Sequence, residues 1–107
     1  MKAETLRGNL EGMLLSVLEP GDMHGYAVIE ELKRRSQDTI NLPTGTVYPA
    51  LHRLEAAGLV SSEWSRINGR RRRNYSLTAA GRRELAAKRV AWQEISSVIS
   101  GVLGSGT

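Results

Sequence analysis

The stretch Asn41–Leu77 constrains the fold of this chain most, because three breaks in regular structure fall at defined places within it. Pro43 keeps the residue before it out of helical geometry, so a helix is expected to begin just afterwards. Gly58 is the residue type that most often ends a helix. Asn68-Gly69 is the dipeptide that favours a two-residue hairpin turn. The stretch therefore predicts a helix followed by two paired strands.

The predicted helix has one apolar face and one polar face. It begins at Thr44 or Thr46, because either threonine can cap a helix. Pro49 has no N–H and must therefore lie close to the helix start, where that donor would have no partner. An apolar face holds such a helix on its domain and leaves the other face free. The apolar positions are Val47, Leu51 and Leu54, and those largely off that face include Tyr48, His52 and Arg53.

Two strands are predicted after the helix, over Leu59–Ser65 and Arg72–Leu77. The turn between them makes a two-stranded ribbon, which is marginally stable alone and must pack against helices. Trp64 is predicted to anchor this ribbon in the core, because a tryptophan buries a large apolar area.

A cluster of arginines lies around the hairpin turn. Five of them, Arg66 and Arg70–Arg73, fall within eight residues that contain no acid. Without them, the 15 Lys and Arg residues fall to 10, against 11 Asp and Glu residues. The whole basic excess of the chain therefore comes from one segment, which indicates contact with a polyanion. The alternative is a solvated charge run that aids solubility.

Two further helices are predicted before this stretch. The first spans Thr5–Leu18, where Gly8 and Gly12 weaken the helix and would allow another backbone to approach closely. The second spans His24–Ser36, with Asp22 as its N-cap and basic residues in its last turn, which suits the helix dipole.

The last predicted helix is capped by Thr78 and continues to about Leu103. Its length is roughly twice the average of about 11 or 12 residues. Its apolar residues fit a heptad pattern in which Lys88 is the one polar core position. The far half has no obvious partner within the chain, so the expected partner is a second copy. The apolar heptad positions are Leu85, Trp92, Ile95, Ile99 and Val102.

A helix with a polar outer face beside a basic two-stranded ribbon is the layout of a winged helix-turn-helix. The predicted fold class is mainly α (α+β), with a β wing and a long C-terminal dimerisation helix. Residues 1–77 would form the DNA-binding domain and residues 78–107 the dimerisation helix with a short tail. The partners expected are double-stranded DNA and a second copy of the chain.

The DNA-contacting candidates are polar side chains on the predicted reading helix, the start of the helix before it, and the ribbon. The major groove accepts one α-helix, whose short or planar polar groups can reach base edges. Arginines on a wing can contact phosphates or enter the minor groove. As alternatives, the tyrosines are boundary residues and Arg53 pairs with Glu55 or a neighbouring acid. The candidates are Tyr26, Thr44, Thr46, Tyr48, His52, Arg53, Arg70, Arg71, Arg72 and Arg73.

A dimer interface and two weaker effector sites are also predicted. Trp92 with Ile95 could fill the interface or form the floor of a pocket for a flat aromatic ligand. Asp22 and His24 are weak candidates for a divalent metal, since no third ligand is evident. The interface candidates are Leu6, Leu10, Leu85, Trp92, Ile95, Ile99 and Val102.

Six short motifs follow one another in a defined order and spacing: His24–Tyr26, Thr44–Pro49, Leu51–Leu54, Gly58–Val60, Gly69–Arg73 and Tyr75–Thr78 with Gly81. Together they resemble the phenolic-acid decarboxylase repressor (PadR) family. The resemblance implies a homodimer joined through the last helix and repression at a palindromic operator. Trp92 is similar in position to a tryptophan that lines a drug-binding pore at the dimer centre in some short members.

Other classes of function find less support in the sequence. The chain has no cysteine, which excludes disulfides and thiolate metal sites. It has no carboxylate pair at workable spacing and no histidine-centred triad, so an enzyme is not expected and no cofactor is required. No apolar run approaches the length needed to cross a bilayer, and the polar N-terminus is unlike a secretory signal, so the expected location is cytoplasmic. The effector is predicted to be a small planar aromatic compound, with a metal-responsive regulator or a winged-helix protein-interaction module as alternatives.

Overall fold

The described part of the chain forms four α-helices and a small antiparallel sheet. A computed structural model describes Leu6 and residues 8–104 of the chain. The elements in chain order are α1 (Leu10–Leu18), β1 (Met23–His24), α2 (Gly25–Arg35), α3 (Thr44–Ala56), β2 (Val60–Ile67), β3 (Arg70–Leu77) and α4 (Ala79–Leu103). This architecture confirms the predicted winged helix-turn-helix with a long last helix.

The sheet has three strands in the order β1-β3-β2, all antiparallel. β2 and β3 form the predicted hairpin, with Ile67 opposite Arg70 at the turn. The added strand β1 pairs Met23 with Tyr75. The prediction of a two-stranded ribbon was therefore one strand short, because two residues are too few to show a strand period.

The hairpin turn follows the prediction. Asn68 and Gly69 have φ values of 54° and 76°, the left-handed pair that a tight hairpin turn requires. Both strands extend closer to the turn than predicted. The residue that anchors the sheet in the core is Tyr75, which is 1% exposed. The prediction for Trp64 was wrong, because its side chain is 56% exposed on the surface of the hairpin.

One apolar core joins the helices to the sheet. Leu14 and Leu18 of α1, Val28 of α2 and Leu51 of α3 are all fully or almost fully buried in the same cluster as Tyr75. Burying a side chain of this kind contributes about 1.5–3 kcal/mol relative to leaving it exposed. The core therefore holds α3 by its apolar face, as the sequence predicts.

α1 begins later than predicted, at Leu10, and Thr5 lies outside the described residues. Gly8 has a φ of +89°, a conformation that no right-handed helix contains, so it precedes the helix. Gly12 does lie within α1, but its neighbour is a side chain. A Cβ at Gly12 would lie 3.2 Å from Cδ of Lys88. The aliphatic stem of Lys88 therefore packs over Gly12, while its ammonium group lies 3.8 Å from Glu84.

α2 is capped by His24, and the prediction of Asp22 as its N-cap was wrong. The backbone N–H of Ala27 donates to Nδ1 of His24 at 3.2 Å. Asp22 lies too far back along the chain, because β1 intervenes between it and the helix.

α3 begins at Thr44, but neither predicted threonine caps it. The N-cap is Pro43, which makes no side-chain cap hydrogen bond, and Thr46 lies inside the helix. Pro49 lies one turn further in than predicted, so the carbonyl of Gly45 has no N–H to accept four residues later. Gly58, with a φ of +77°, ends the helix region as predicted.

α4 begins and ends where the sequence predicts. Oγ1 of Thr78 accepts the N–H of Gly81 at 3.0 Å and donates to the carbonyl of Gly58 at 2.7 Å. A Cβ at Gly81 would lie 2.0 Å from the carbonyl oxygen of Leu59, so this close approach needs glycine. Leu85 is buried in the same core. Residues 105–107, which complete the predicted segment 78–107, lie outside the described residues.

Candidate nucleic-acid interface

The start of α2 packs closely against α3 where Gly25 meets Tyr48. A Cβ at Gly25 would lie 2.5 Å from Cε1 of Tyr48, so only glycine admits the tyrosine ring there. Tyr48 is consequently half-buried and held in place. Its neighbour on α2, Tyr26, is 58% exposed, so its side chain is free to contact a ligand.

The hairpin presents an indole covered by two guanidinium groups. Cζ of Arg71 lies 4.5 Å from the centroid of the Trp64 ring, and Cζ of Arg73 lies 5.2 Å from it. Cation–π contacts of this kind contribute about 0.5–1 kcal/mol at exposed sites. Trp64 therefore organises the arginine side chains on this surface, although it does not anchor the sheet.

Arg73 is also tied to α3. Its Nε donates to Oγ of Ser62 at 2.7 Å, and the Ser62 hydroxyl donates to Oε2 of Glu55. Nη2 of Arg73 lies 3.6 Å from the same carboxylate oxygen. Three elements, α3, β2 and β3, are joined by this set of contacts.

Arg72 contacts His24, the residue that caps α2. Its Nη1 lies 2.8 Å from Nε2 of His24, whose Nδ1 accepts the N–H of Ala27. A neutral imidazole can accept at only one nitrogen, so these two donors compete for one lone pair. Partial burial, and then the charge of Arg72, lower the pKa of His24. Each ring nitrogen faces an N–H donor of the protein, although only one of the two nitrogens accepts at a time, and this placement disfavours the predicted metal role of His24.

Asp22 lines a shallow groove on another side of the sheet, away from the His24 ring. Among Leu6 and residues 8–104, no group of three or more His, Cys, Asp or Glu side chains is placed to hold a metal ion.

A cleft of about 710 Å³ lies between α3, the start of α2 and the hairpin. Guanidinium groups and aromatic rings dominate its walls. Among the described residues that line it, Glu55 is the one carboxylate. The predicted DNA-contacting residues that the fold brings together here are Tyr26, Tyr48, His52, Arg71, Arg72 and Arg73.

The remaining predicted residues lie outside the cleft. Thr44 and Thr46 are at the start of α3, and Arg70 is at the hairpin end of β3. Nε of Arg53 lies 3.7 Å from Glu11, the pairing with a neighbouring acid that was the alternative for this residue. Both side chains of that pair are substantially exposed, so Arg53 stays accessible.

Sequence reasoning missed Trp64 as a cleft residue and gave Ser62 no role. It considered Glu55 only as a polar residue of the helix and a possible partner of Arg53. The sequence contained a pattern that could have identified the position of Trp64. The Asn68-Gly69 turn sets Ile67 opposite Arg70 and hence Trp64 opposite Arg73. The contact with Glu55 depends on how the hairpin packs against α3, which no local pattern reveals.

The predicted dimer-interface residues divide into two groups. Leu6 and Leu85 are buried in the core of their own subunit, and Leu10 packs against that core. The others lie beyond Lys88 on α4 and are exposed in the single chain, with Trp92 at 59%. The exposed members are Trp92, Ile95, Ile99 and Val102, with Val98 and Leu103 beside them.

Fold and surface together define the class of this protein as a winged helix-turn-helix regulator with a cationic hairpin. The sequence model of the Transcriptional regulator PadR-like family matches residues 14–87. The chain belongs to this family, which confirms the resemblance drawn from its motifs.

Similar proteins agree with this assignment. The chain is 40% identical over 90 residues to the transcriptional regulator Rv3488 of Mycobacterium tuberculosis, covering 80% of this chain and 81% of that protein. It is similar to a PadR family transcription regulator from Clostridium difficile, with 33% identity and a TM-score of 0.80 over 91% of this chain and 100% of that one. A transcriptional regulator from Clostridium thermocellum superposes with a TM-score of 0.86 at 26% identity, covering 92% and 97%. Within the described residues, no helix is both long and apolar enough to span a membrane.

Proposed function

We propose that this transcriptional regulator acts as a repressor, binding a palindromic operator as a homodimer. The observation that carries the proposal is the placement of two unlike surfaces on one subunit. The cleft between α3 and the hairpin is lined by arginine and aromatic side chains. The far half of α4 exposes an apolar stripe that no other described residue covers.

The apolar stripe supports association with a second copy. Trp92, Ile95, Ile99 and Val102 fall at heptad positions, which is the pattern by which two helices pack side by side. A two-fold symmetric pair would present two α3 helices, and half-sites one helical turn apart require a separation of about 34 Å between them.

The dimer is tested by charge substitution on the stripe. Ile95→Asp with Ile99→Asp places two carboxylates where the partner would pack, so sedimentation should give the monomer mass. Ser97→Asp is the matched control, because Ser97 is exposed on the outer side of the same helix. A wild-type chain that sediments as a monomer at all concentrations would contradict the dimer.

DNA binding is tested by a mobility-shift titration on the upstream region of the protein's own gene, repeated over a range of salt concentrations. Replacing Arg71 and Arg72 with alanine should weaken binding to all sequences and reduce the salt slope by about one to two. Arg83→Ala is the control, since Arg83 is an exposed arginine on α4 that does not line the cleft. An unchanged slope in the double variant would mean that the hairpin does not touch phosphates.

The proposed effector is a small planar aromatic compound bound between the two α4 helices. Trp92 supports this, because its exposed indole would face the partner's helix and offer a flat surface for stacking. A panel of such dyes should quench tryptophan fluorescence in the wild type and in Trp64→Ala, but not in Trp92→Ala. Quenching that is lost in Trp64→Ala alone would place the ligand at the hairpin instead.

A further inference from the structure

Arg73 differs from the other arginines of the hairpin in its surroundings. Within the described part of the chain, it is the one member of Arg70–Arg73 that lies within ion-pair distance of a carboxylate, that of Glu55. The side chains of Arg73 and Glu55 are 35% and 30% exposed, so both are shielded from solvent over most of their surface. A guanidinium engaged in this way has less capacity left for a phosphate.

The contacts around Arg73 form a closed set. The Ser62 hydroxyl accepts from Nε of Arg73 and donates to Glu55, while Nη2 of Arg73 approaches the same carboxylate. The fork of guanidinium donors matches this arrangement, because Nε and Nη2 point to neighbouring acceptors. On the other side, the Arg73 guanidinium lies over the ring of Trp64. Contacts with Ser62, Glu55 and Trp64 thus fix the position of the Arg73 side chain.

Glu55 occupies a place that DNA binding alone does not explain. A carboxylate at the edge of a phosphate-binding cleft repels the phosphates and weakens binding. The presence of Glu55 in the cleft is explained by its contacts with the hairpin. It belongs to α3, whereas Ser62 and Arg73 belong to the two strands of the hairpin. A hairpin is marginally stable alone and takes its orientation from what it packs against.

We propose that Glu55 and Arg73 are positioning residues, which set the orientation of the hairpin relative to α3 and so help to determine operator specificity. This rests on the proposed function. Phosphate contacts from the hairpin fix the register of a protein on the duplex, and contacts from the reading helix identify the bases. A fixed angle between the two elements makes both sets of contacts possible at once only on the correct sequence.

The alternative is that Arg73 itself contacts a phosphate, and the two roles predict different salt dependence. Removing one phosphate-contacting cation lowers the slope of log affinity against log salt by about 0.9. Removing a positioning residue leaves the number of phosphate contacts almost unchanged but reduces the preference for the operator over other DNA. Slope and preference are therefore measured together for each variant.

The experiment uses the full chain and compares Arg73 with Arg70, which has no ion pair among the described residues. Arg73→Lys keeps the charge but loses the fork, so it cannot serve Ser62 and Glu55 together. We expect Arg73→Lys and Arg73→Ala to keep the wild-type slope and to lose about tenfold in operator preference, comparable to one lost base contact. The comparison variant Arg70→Ala should instead lose about one unit of slope with its preference intact.

Glu55→Gln supplies an independent readout. A purely electrostatic role predicts tighter binding to all DNA, with the operator preference unchanged, when this negative charge is removed. The positioning role predicts a loss of operator preference even if binding to unrelated DNA becomes tighter. Melting temperatures of each variant show whether the fold is intact.

The outcomes separate the inference from the function on which it rests. Arg73→Ala that loses slope as Arg70→Ala does, with Arg73→Lys indistinguishable from the wild type, would overturn the positioning role alone. Glu55→Gln with undiminished preference would also overturn it. A wild-type chain that binds no duplex even in dilute buffer overturns both the positioning role and the proposed repressor.

Discussion

The two halves of α4 differ in their surroundings. At its base, Gly81 meets the carbonyl of Leu59 and Leu85 is 2% exposed, so this half belongs to the core. Beyond Lys88 the same helix carries Trp92, Ile95 and Val102 into open space. One continuous helix is therefore buried in the core along its first half and exposes apolar side chains along its second half.

The two halves differ in whether the rest of the chain stabilises them. The base of α4 is stabilised by burial against β3 and α1 within the subunit. The outer half is not, and exposed apolar stripes of this kind mark association surfaces. The contact of Arg89 with Glu19, at 2.9 Å, lies near the boundary between the two halves and connects α4 to the end of α1. The Arg89 guanidinium holds the pKa of the Glu19 carboxyl below its usual value.

The largest contrast is expected between one leucine of the core and one isoleucine of the outer stripe. Leu51→Ala removes a fully buried side chain and should lower the free energy of unfolding by about 2–5 kcal/mol. Ile99→Ala should leave the folding of the subunit core almost unchanged and weaken only the association. Urea unfolding at several protein concentrations measures both effects, because only association depends on concentration. Equal and concentration-independent losses would abolish the distinction between the two halves.

Two glycines of α4 sharpen the same comparison. Gly81→Ala places a methyl group against a backbone carbonyl and should destabilise the subunit by about 1–3 kcal/mol or more. Gly101→Ala meets nothing within 4 Å and should stabilise the helix by about 1 kcal/mol or less. Thermal unfolding followed by circular dichroism compares them directly. Destabilisation by Gly101→Ala would mean that the second copy packs closely at that position.

The smallest expected effect is a pH dependence from the partly buried His24 at the start of α2. Because the pKa of His24 is lowered in the folded state, the unfolded chain takes up the proton first as the pH falls below the ordinary value of 6.5. The stabilisation from the neutral ring is therefore complete above pH 6.5 and is lost as the pH falls towards the folded pKa. His24→Asn keeps a capping side chain and removes this titration, so its stability should fall less between pH 7 and pH 5. Identical pH profiles for both proteins would contradict this role of His24.

Local chemistry in the sequence was sufficient to predict most element boundaries. Gly58, Asn68-Gly69 and Thr78 each act through the φ angle or the hydrogen bond of a few neighbouring residues, and all three predictions are confirmed. The family and the fold follow from the order of these motifs along the chain. The start of α1 and the cap of α2 did not follow, since Gly8 and His24 have several local roles available to them.

Only the tertiary structure decided which side chains of the cleft meet. The third strand β1, the exposure of Trp64 and the link from Arg73 to Glu55 all depend on how segments distant in sequence pack together. The sequence by itself determined that a helix, a hairpin with a block of arginines and a long amphipathic helix would follow one another, because each is specified by its own residues. Packing decided which arginine of the hairpin faces solvent and which one contacts α3. An ion pair between elements distant in sequence leaves no repeating pattern from which it could be predicted.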